Sequence, residues 1–455
     1  MIRFPPSAAR TVPQLLAILD TPLMVDYESN SLVAAEVHNT AASLAAAGKH
    51  GLSGRLKTVT PVRNVPSTTS VRAIEVLHEI GLATTPVFGS TRILATEWWA
   101  ILRYMWAFDT AAGRLRLSDE TQSHFTYHHK TALSEYLGIG FGLTVVKASI
   151  QRQIARSTTE VLDVDSVGAF RQVSLNQVRT LRPDYFLITT SPQGTSVSAL
   201  ECKGSSTNRA HQIGQLGKSI LQLGSVVDKD GRPPRGFGSS VRATKTGFKL
   251  IVVDPDERSE WSAGDINFDD VTEVSESEGV SVVQNVAALK RQLLELEASR
   301  NAIWAGDPMT SRRVLPDSLR QRSPDVAEQA DLDEVSVDGT PCLGRISLLD
   351  VEGGVLEVFR GAERSYLEQL RDAAGIGVAR QTVEARSRVR PRIDGEPVTQ
   401  DGELAPVMQT VSFGTSGSVL RIAFRAGRGG QSRSGNGPSR QSGSGVSNRY
   451  SSSVT

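Results

Sequence analysis

Pro183-Asp184-Tyr185-Phe186-Leu187-Ile188-Thr189-Thr190-Ser191-Pro192-Gln193-Gly194-Thr195-Ser196-Val197-Ser198-Ala199-Leu200-Glu201-Cys202-Lys203 is the stretch on which the fold turns. Tyr185 to Thr190 is an aromatic and β-branched run, the composition of a strand. Ser191-Pro192-Gln193-Gly194 is turn punctuation, and Val197 to Lys203 is β-prone again, so the segment reads as an antiparallel hairpin. Strand geometry then has two consequences. Asp184, at the mouth of the first strand, lies beside Glu201 near the end of the second. Glu201 and Lys203, two residues apart, share a face, while Cys202 points to the opposite one. Two carboxylates and one ammonium converge at a sheet edge.

Outward from the hairpin, Thr131 to Gly138 reads as a short helix carrying Glu135, and Gly142 to Lys147 as a strand. Asn208 to Leu223 places Ile213, Leu216, Ile220 and Leu223 on one helical face, and Phe248 to Val253 reads as a buried strand. Two hard oxygen ligands suit Mg²⁺, with Mn²⁺ as a substitute. Mg²⁺ normally keeps several waters and completes its octahedron with substrate phosphate. A lysine beside it can orient or help deprotonate a water and stabilise charge on the phosphate.

The order helix with Glu135, strand, Pro183-Asp184 strand, Glu201-x-Lys203 strand, helix, strand resembles the PD-(D/E)xK nuclease superfamily. The resemblance spans residues 131–255 and implies an α/β fold with a restriction-endonuclease-like αβββαβ core. It implies Asp184 and Glu201 as metal ligands and Lys203 as the catalytic lysine. Glu135 matches the acidic residue that many members carry on the first core helix, where it assists metal binding. Gln212 and Gln215 match a glutamine often found on the helix after the lysine. The RecB-like subgroup follows that glutamine with a tyrosine one turn later; here the position is Ser219. The activity implied is metal-dependent hydrolysis of DNA, in a restriction or antiviral defence setting. A non-catalytic DNA-binding or scaffold subunit with the same fold is the alternative reading.

The whole chain has 50 Lys+Arg against 49 Asp+Glu, net +1, yet this neutrality is a cancellation between segments. Residues 1–130 carry net +2, 131–255 net +6, 256–340 net −11 and 341–455 net +4. The +6 segment includes Arg209, Lys218, Arg232, Arg235, Arg242 and Lys245, several of them in a loop read over 228–246 that could clamp a phosphate backbone. The acidic −11 segment reads as mostly loop over Asp256 to Ser281, an amphipathic helix over Asn285 to Arg300 and then a linker, and is a candidate surface for a protein partner.

Length and patterning predict several domains. Residues 1–130 read as mostly helical, with a winged-helix-like element over 70–95, and residues 131–255 as the nuclease-like core. The acidic helix and linker occupy 256–340, a small α+β domain 341–425, and a disordered Ser/Gly/Arg tail 426–455. Two cysteines, Cys202 and Cys342, exclude a disulfide framework. The N-terminus lacks a signal-peptide core, and the most apolar stretch, Trp98 to Phe108, is interrupted by Arg103 and falls short of the ~20 residues of a membrane helix. A cytoplasmic protein is expected. His128-His129, the Asp163/Asp165 pair and Trp98, Trp99 and Trp106 read more simply as surface, exposed strand and core than as ligands or base-stacking groups.

Overall fold

The computed structural model describes residues 11–47, 56, 58–63, 68–87, 99–167, 182–255, 261, 274–277, 280–321, 331–372 and 408–426. The principal helices are α1 (Val12–Asp20), α2 (Ser31–Ala46), α3 (Ala73–Thr84), α4 (Tyr127–Gln153), α5 (Arg209–Leu223), α6 (Val286–Ala305) and α7 (Arg364–Asp372). Six strands organise the larger sheet: β1 (Leu23–Glu28), β2 (Thr158–Asp163), β3 (Tyr185–Ser191), β4 (Gly194–Ser205), β5 (Arg235–Thr244) and β6 (Gly247–Pro255). The protein is mixed α/β. Its main sheet runs Phe108–Ala111, Arg114–Leu117, β1, β6, β5, β4, β3, β2. β2, β3 and β4 form an antiparallel meander. β5 then lies beside β4 in parallel, a pairing that needs a crossover, and α5 supplies it.

Both sheet faces are covered. On one, α2 and α5 bury Val33, Val37 and Ala41 with Ile213, Leu216 and Ile220 over Ala199, Ile251 and Val253. On the other lies α4, a 27-residue helix that approaches the sheet through small residues. A Cβ at Gly204 would overlap the Ser134 carbonyl oxygen, and one at Gly138 would stand 2.6 Å from the Lys203 carbonyl carbon. A Cβ at Gly142 would stand 2.8 Å from the Cys202 sulfur, and one at Gly140 would stand 2.7 Å from Val76 of α3. Contacts this close exclude any side chain, so the glycines fix how the helix crosses β4.

Gly142–Lys147 is not a strand but the middle of α4; the first strand of the meander is β2. Arg235–Thr244 is not a clamp loop but a central strand, and it, rather than 248–253, is the parallel neighbour of β4. The winged-helix-like element read over 70–95 lies outside the described residues from 88 onward. Its helix, α3, is buried on nearly every side, Ile74, Val76, Leu77, His78 and Ile80 included, and so has no face to lay in a groove.

The acidic segment also differs from expectation. α6, read as amphipathic, is buried on nearly every side: Leu293, Glu297, Arg300, Asn301 and Trp304 are all buried. Arg300 pairs with Glu160 of β2 at 2.7 Å and donates to the Val161 carbonyl. The region read as linker holds short helices Pro308–Val314 and Asp317–Arg320, and residues 322–330 lie outside the described ones. C-terminal to it, β7 (Asp333–Val337), β8 (Thr340–Val351), β9 (Gly354–Glu363), β10 (Met408–Phe413) and β11 (Ser418–Ala426) build a second sheet in the order β7-β8-β9-β11-β10. It is no separate small domain, because Leu356, Val358, Leu420 and Ile422 join the same core as Leu15, Leu19 and Leu77. The tail read as disordered falls outside the described residues from 427 onward. Among the described residues, no helix is long and apolar enough to cross a membrane.

Candidate active site

Asp184 stands one residue ahead of β3, directly across from Glu201 once the Tyr185–Leu200 register is extended. Here side chains replace the ladder bonds. The Asp184 N–H donates to Glu201 Oε2 at 2.8 Å, and the Cys202 N–H donates to Asp184 Oδ2 at 3.0 Å. Each carboxylate is thus fixed by backbone on one oxygen. The Lys203 ammonium completes the group, paired with Glu201 Oε1 and 3.6 Å from Asp184 Oδ2. Glu201 is fully buried, while Lys203 and Asp184 keep 25% and 34% of their side-chain surface exposed. The cluster opens to solvent on one side.

Burial, and then the Asp184 charge, push the Glu201 carboxyl up to about 8, against the opposing pull of Lys203. Burial alone would lower Lys203, but Glu201 and Asp184 outweigh it and its pKa is raised. With both carboxylates ionised, two negative charges would face one ammonium, and a hard cation held by Asp184 and Glu201 would offset the excess. Asp163, at the end of β2, has its carboxyl raised to about 6 by burial, with Asp165 and Asp184 contributing. It ends its strand, whereas Asp165 sits in the following 3₁₀ turn and pairs with Arg182 at 3.2 Å, so the two do not share a strand face.

The structure brings Asp184, Glu201 and Lys203 together and leaves Glu135 apart. Cys202 faces α4 through Gly142, so Glu201 and Lys203 face the α5 side, whereas Glu135 is an exposed residue of α4 on the opposite side. Its charge acts on Tyr104 and Tyr185. Accordingly, no group of three or more His, Cys, Asp or Glu side chains gathers to hold a metal ion among the described residues. The expected assignment of Glu135 as a third ligand is not met in this arrangement.

α5 lies across the site. Gln215 Nε2 reaches the carbonyl of Gly204, next to Lys203, at 3.4 Å, and the Ser219 hydroxyl donates to the Gln215 carbonyl. Two turns on, Gln222 donates to the Arg182 carbonyl at 3.1 Å and so holds the chain just ahead of Pro183-Asp184. The sequence reading missed Gln222; its seven-residue spacing from Gln215, which places both on one helix face, was the available signal. Gln212 is buried and bonded to the Ser240 and Lys249 carbonyls, so it ties α5 to β5 and β6.

The other candidates stand elsewhere. His128 and His129 are exposed at the start of α4, Trp106 packs against the core, and Cys202 is buried. Trp98 lies outside the described residues. Comparison with protein-family models, with curated proteins and with solved structures returns no match.

Proposed function

We propose that the chain is a metal-dependent nuclease that hydrolyses DNA phosphodiester bonds, with a core of the PD-(D/E)xK type. One observation carries this reading: the Lys203 ammonium is lodged against the buried Glu201 and the partly exposed Asp184 where the interior strands β3 and β4 meet. The supporting context is the chain order, α4, the β2-β3-β4 meander, α5, then β5 parallel to β4.

Asp184 and Glu201 would hold Mg²⁺ or Mn²⁺, which when bound supplies Lewis acidity and an acidified water for attack on phosphorus. Lys203 contributes a fixed positive charge where negative charge builds on the phosphoryl oxygens, and its ammonium can orient the attacking water. Backbone clamping of both carboxylates keeps that geometry without reorganisation. Gln215, anchored near Lys203, offers an amide for a second hydrogen bond to water or phosphate.

A non-catalytic DNA-binding or scaffold subunit is the second reading, favoured by the absence of a third acidic ligand among the described residues. Linear, circular and single-stranded DNA incubated with Mg²⁺ or Mn²⁺ separates the two. Cleavage that EDTA stops and Lys203→Ala removes, with DNA affinity retained, supports the enzyme. Binding without cleavage by the wild type supports the scaffold.

A further inference from the structure

We propose that Arg242 and Lys249 form a second phosphate seat beside Lys203, one that takes a substrate phosphate flanking the scissile bond. The proposal rests on the nuclease reading above. Its basis is register. β4 and β5 pair in parallel with Lys203 beside Ser240 and Ser205 beside Arg242. Arg242 therefore shares the face of Glu201 and Lys203, one strand over and two residues further along. That is about 5 Å across and about 7 Å along the sheet.

The guanidinium is held in an unusual way. Gln212 is buried, and its amide nitrogen is committed to two backbone carbonyls, Ser240 at 2.8 Å and Lys249 at 3.1 Å. Its remaining oxygen then has to face outward, where it accepts from Arg242 Nε at 3.3 Å. Among the described residues, neither terminal nitrogen of Arg242 has an ion-pair or hydrogen-bond partner. A guanidinium fixed at Nε with both terminal nitrogens free presents the fork that matches phosphate oxygens.

Lys249 stands directly opposite Arg242 across the β5–β6 pair. Like charges in that position repel, so the pair is unfavourable until an anion neutralises it. The acidic neighbour in the same row is Asp26 of β1, and Asp26 is occupied by Arg114. Other basic residues of the +6 segment are neutralised internally: Arg209 by Glu28 and Glu36, Arg232 by Asp230, Arg235 by Asp254. Lys245, exposed in the turn that joins β5 to β6, extends the cationic surface outward. Gln212 thus acts as a positioning residue through Arg242.

The test is fluorescence anisotropy of short labelled oligonucleotides, with and without a terminal 5′-phosphate, in EDTA so that binding is read without cleavage. Arg242→Ala should weaken binding about tenfold or more and lower the slope of log affinity against log salt by about one. Arg242→Lys should restore the slope while leaving affinity below wild type, because a lysine cannot serve Gln212 and a phosphate together. A loss confined to 5′-phosphorylated oligonucleotides assigns the seat to a terminal phosphate; an equal loss on both assigns it to an internal linkage. If Arg242→Ala and Lys249→Ala bind with wild-type affinity and slope while the wild type cleaves DNA, the seat is wrong and the nuclease reading stands. If the wild type neither binds nor cuts, the nuclease reading fails and the seat with it.

Discussion

The amide of Asp184 donates to the carboxylate of Glu201 at 2.8 Å, so the chain preceding one strand is clasped by a side chain of the next. The clasp orients Glu201 and places Asp184 beside the same ammonium. It also makes Glu201 a structural as well as a chemical residue. Glu201→Gln keeps an oxygen for the Asp184 N–H but loses the charge. It should fold, keep DNA binding and lose cleavage by about a hundredfold or more, as expected when one preorganised electrostatic group is removed. Steady-state cleavage beside a thermal melt separates this from misfolding.

Cation-free protein should become less stable as pH rises through the Glu201 range. The folded carboxyl titrates near 8, against an unfolded value near 4.5. Between those values the folded state holds a proton that the unfolded state has released. Stability is therefore full below about 4.5 and falls toward 8, with a limiting slope of about 1.4 kcal/mol per pH unit. Urea midpoints in EDTA, compared between wild type and Glu201→Gln, isolate this contribution, because the amide cannot titrate. Added Mg²⁺ should flatten the wild-type curve.

His78 gives the opposite sign. Burial, then Lys147, lower its pKa to about 3; the ring stacks on Trp304 and bonds Ser412 at 3.0 Å. Below about 6.5 the unfolded chain gains a proton that the folded chain refuses. Stability is thus present above 6.5 and is lost as pH falls toward 3. His78→Gln should shrink that acid loss in urea titrations, whatever it costs at neutral pH.

The glycine seat under Lys203 separates two kinds of glycine. Gly204→Ala would drive a methyl into the Ser134 carbonyl, with no flexible side chain to give way. It should destabilise by about 3 kcal/mol or lose folding. Gly214→Ala in α5 meets nothing within 4 Å and should stabilise by about 0.5–1 kcal/mol. Chemical denaturation of both variants measures the contrast.

Arg300 and Glu160 join α6 to the first meander strand in a fully buried pair. Arg300→Met strands the Glu160 charge and should cost about 3–5 kcal/mol. If denaturation shows less than 1 kcal/mol, the joint between α6 and the main sheet is looser than described.

The hairpin and α5 were legible because their signals are local: a β-branched run, a turn, and apolar residues at helical spacing. The middle of α4 was not. Gly138, Gly140 and Gly142 lower helical propensity, and Leu143-Thr144-Val145-Val146 looks like a strand; tertiary contact with β4 and α3 sets the helix instead. β5 was obscured for the same reason. Gly236, Gly238, Ser239 and Ser240 are poor strand formers, yet helices press on both sides, with Leu216 and Leu223 against the glycines and Gly142 against Ser239. The acidity of the segment around α6 hid the burial of the helix, in which Asn301 donates to Glu297. Of the site, the Asp184–Glu201–Lys203 group follows from strand alternation together with the hairpin pairing. The face on which Glu135 falls depends on how α4 crosses the sheet, which no local pattern encodes.

Lys203→Ala is the most direct test of the central claim. Single-turnover cleavage of labelled DNA should proceed in the wild type with Mg²⁺ or Mn²⁺, stop with EDTA, and fall by about a hundredfold or more in Lys203→Ala while DNA affinity changes little. Cleavage by Lys203→Ala at the wild-type rate, or none by the wild type on any DNA form with either metal, would contradict the account.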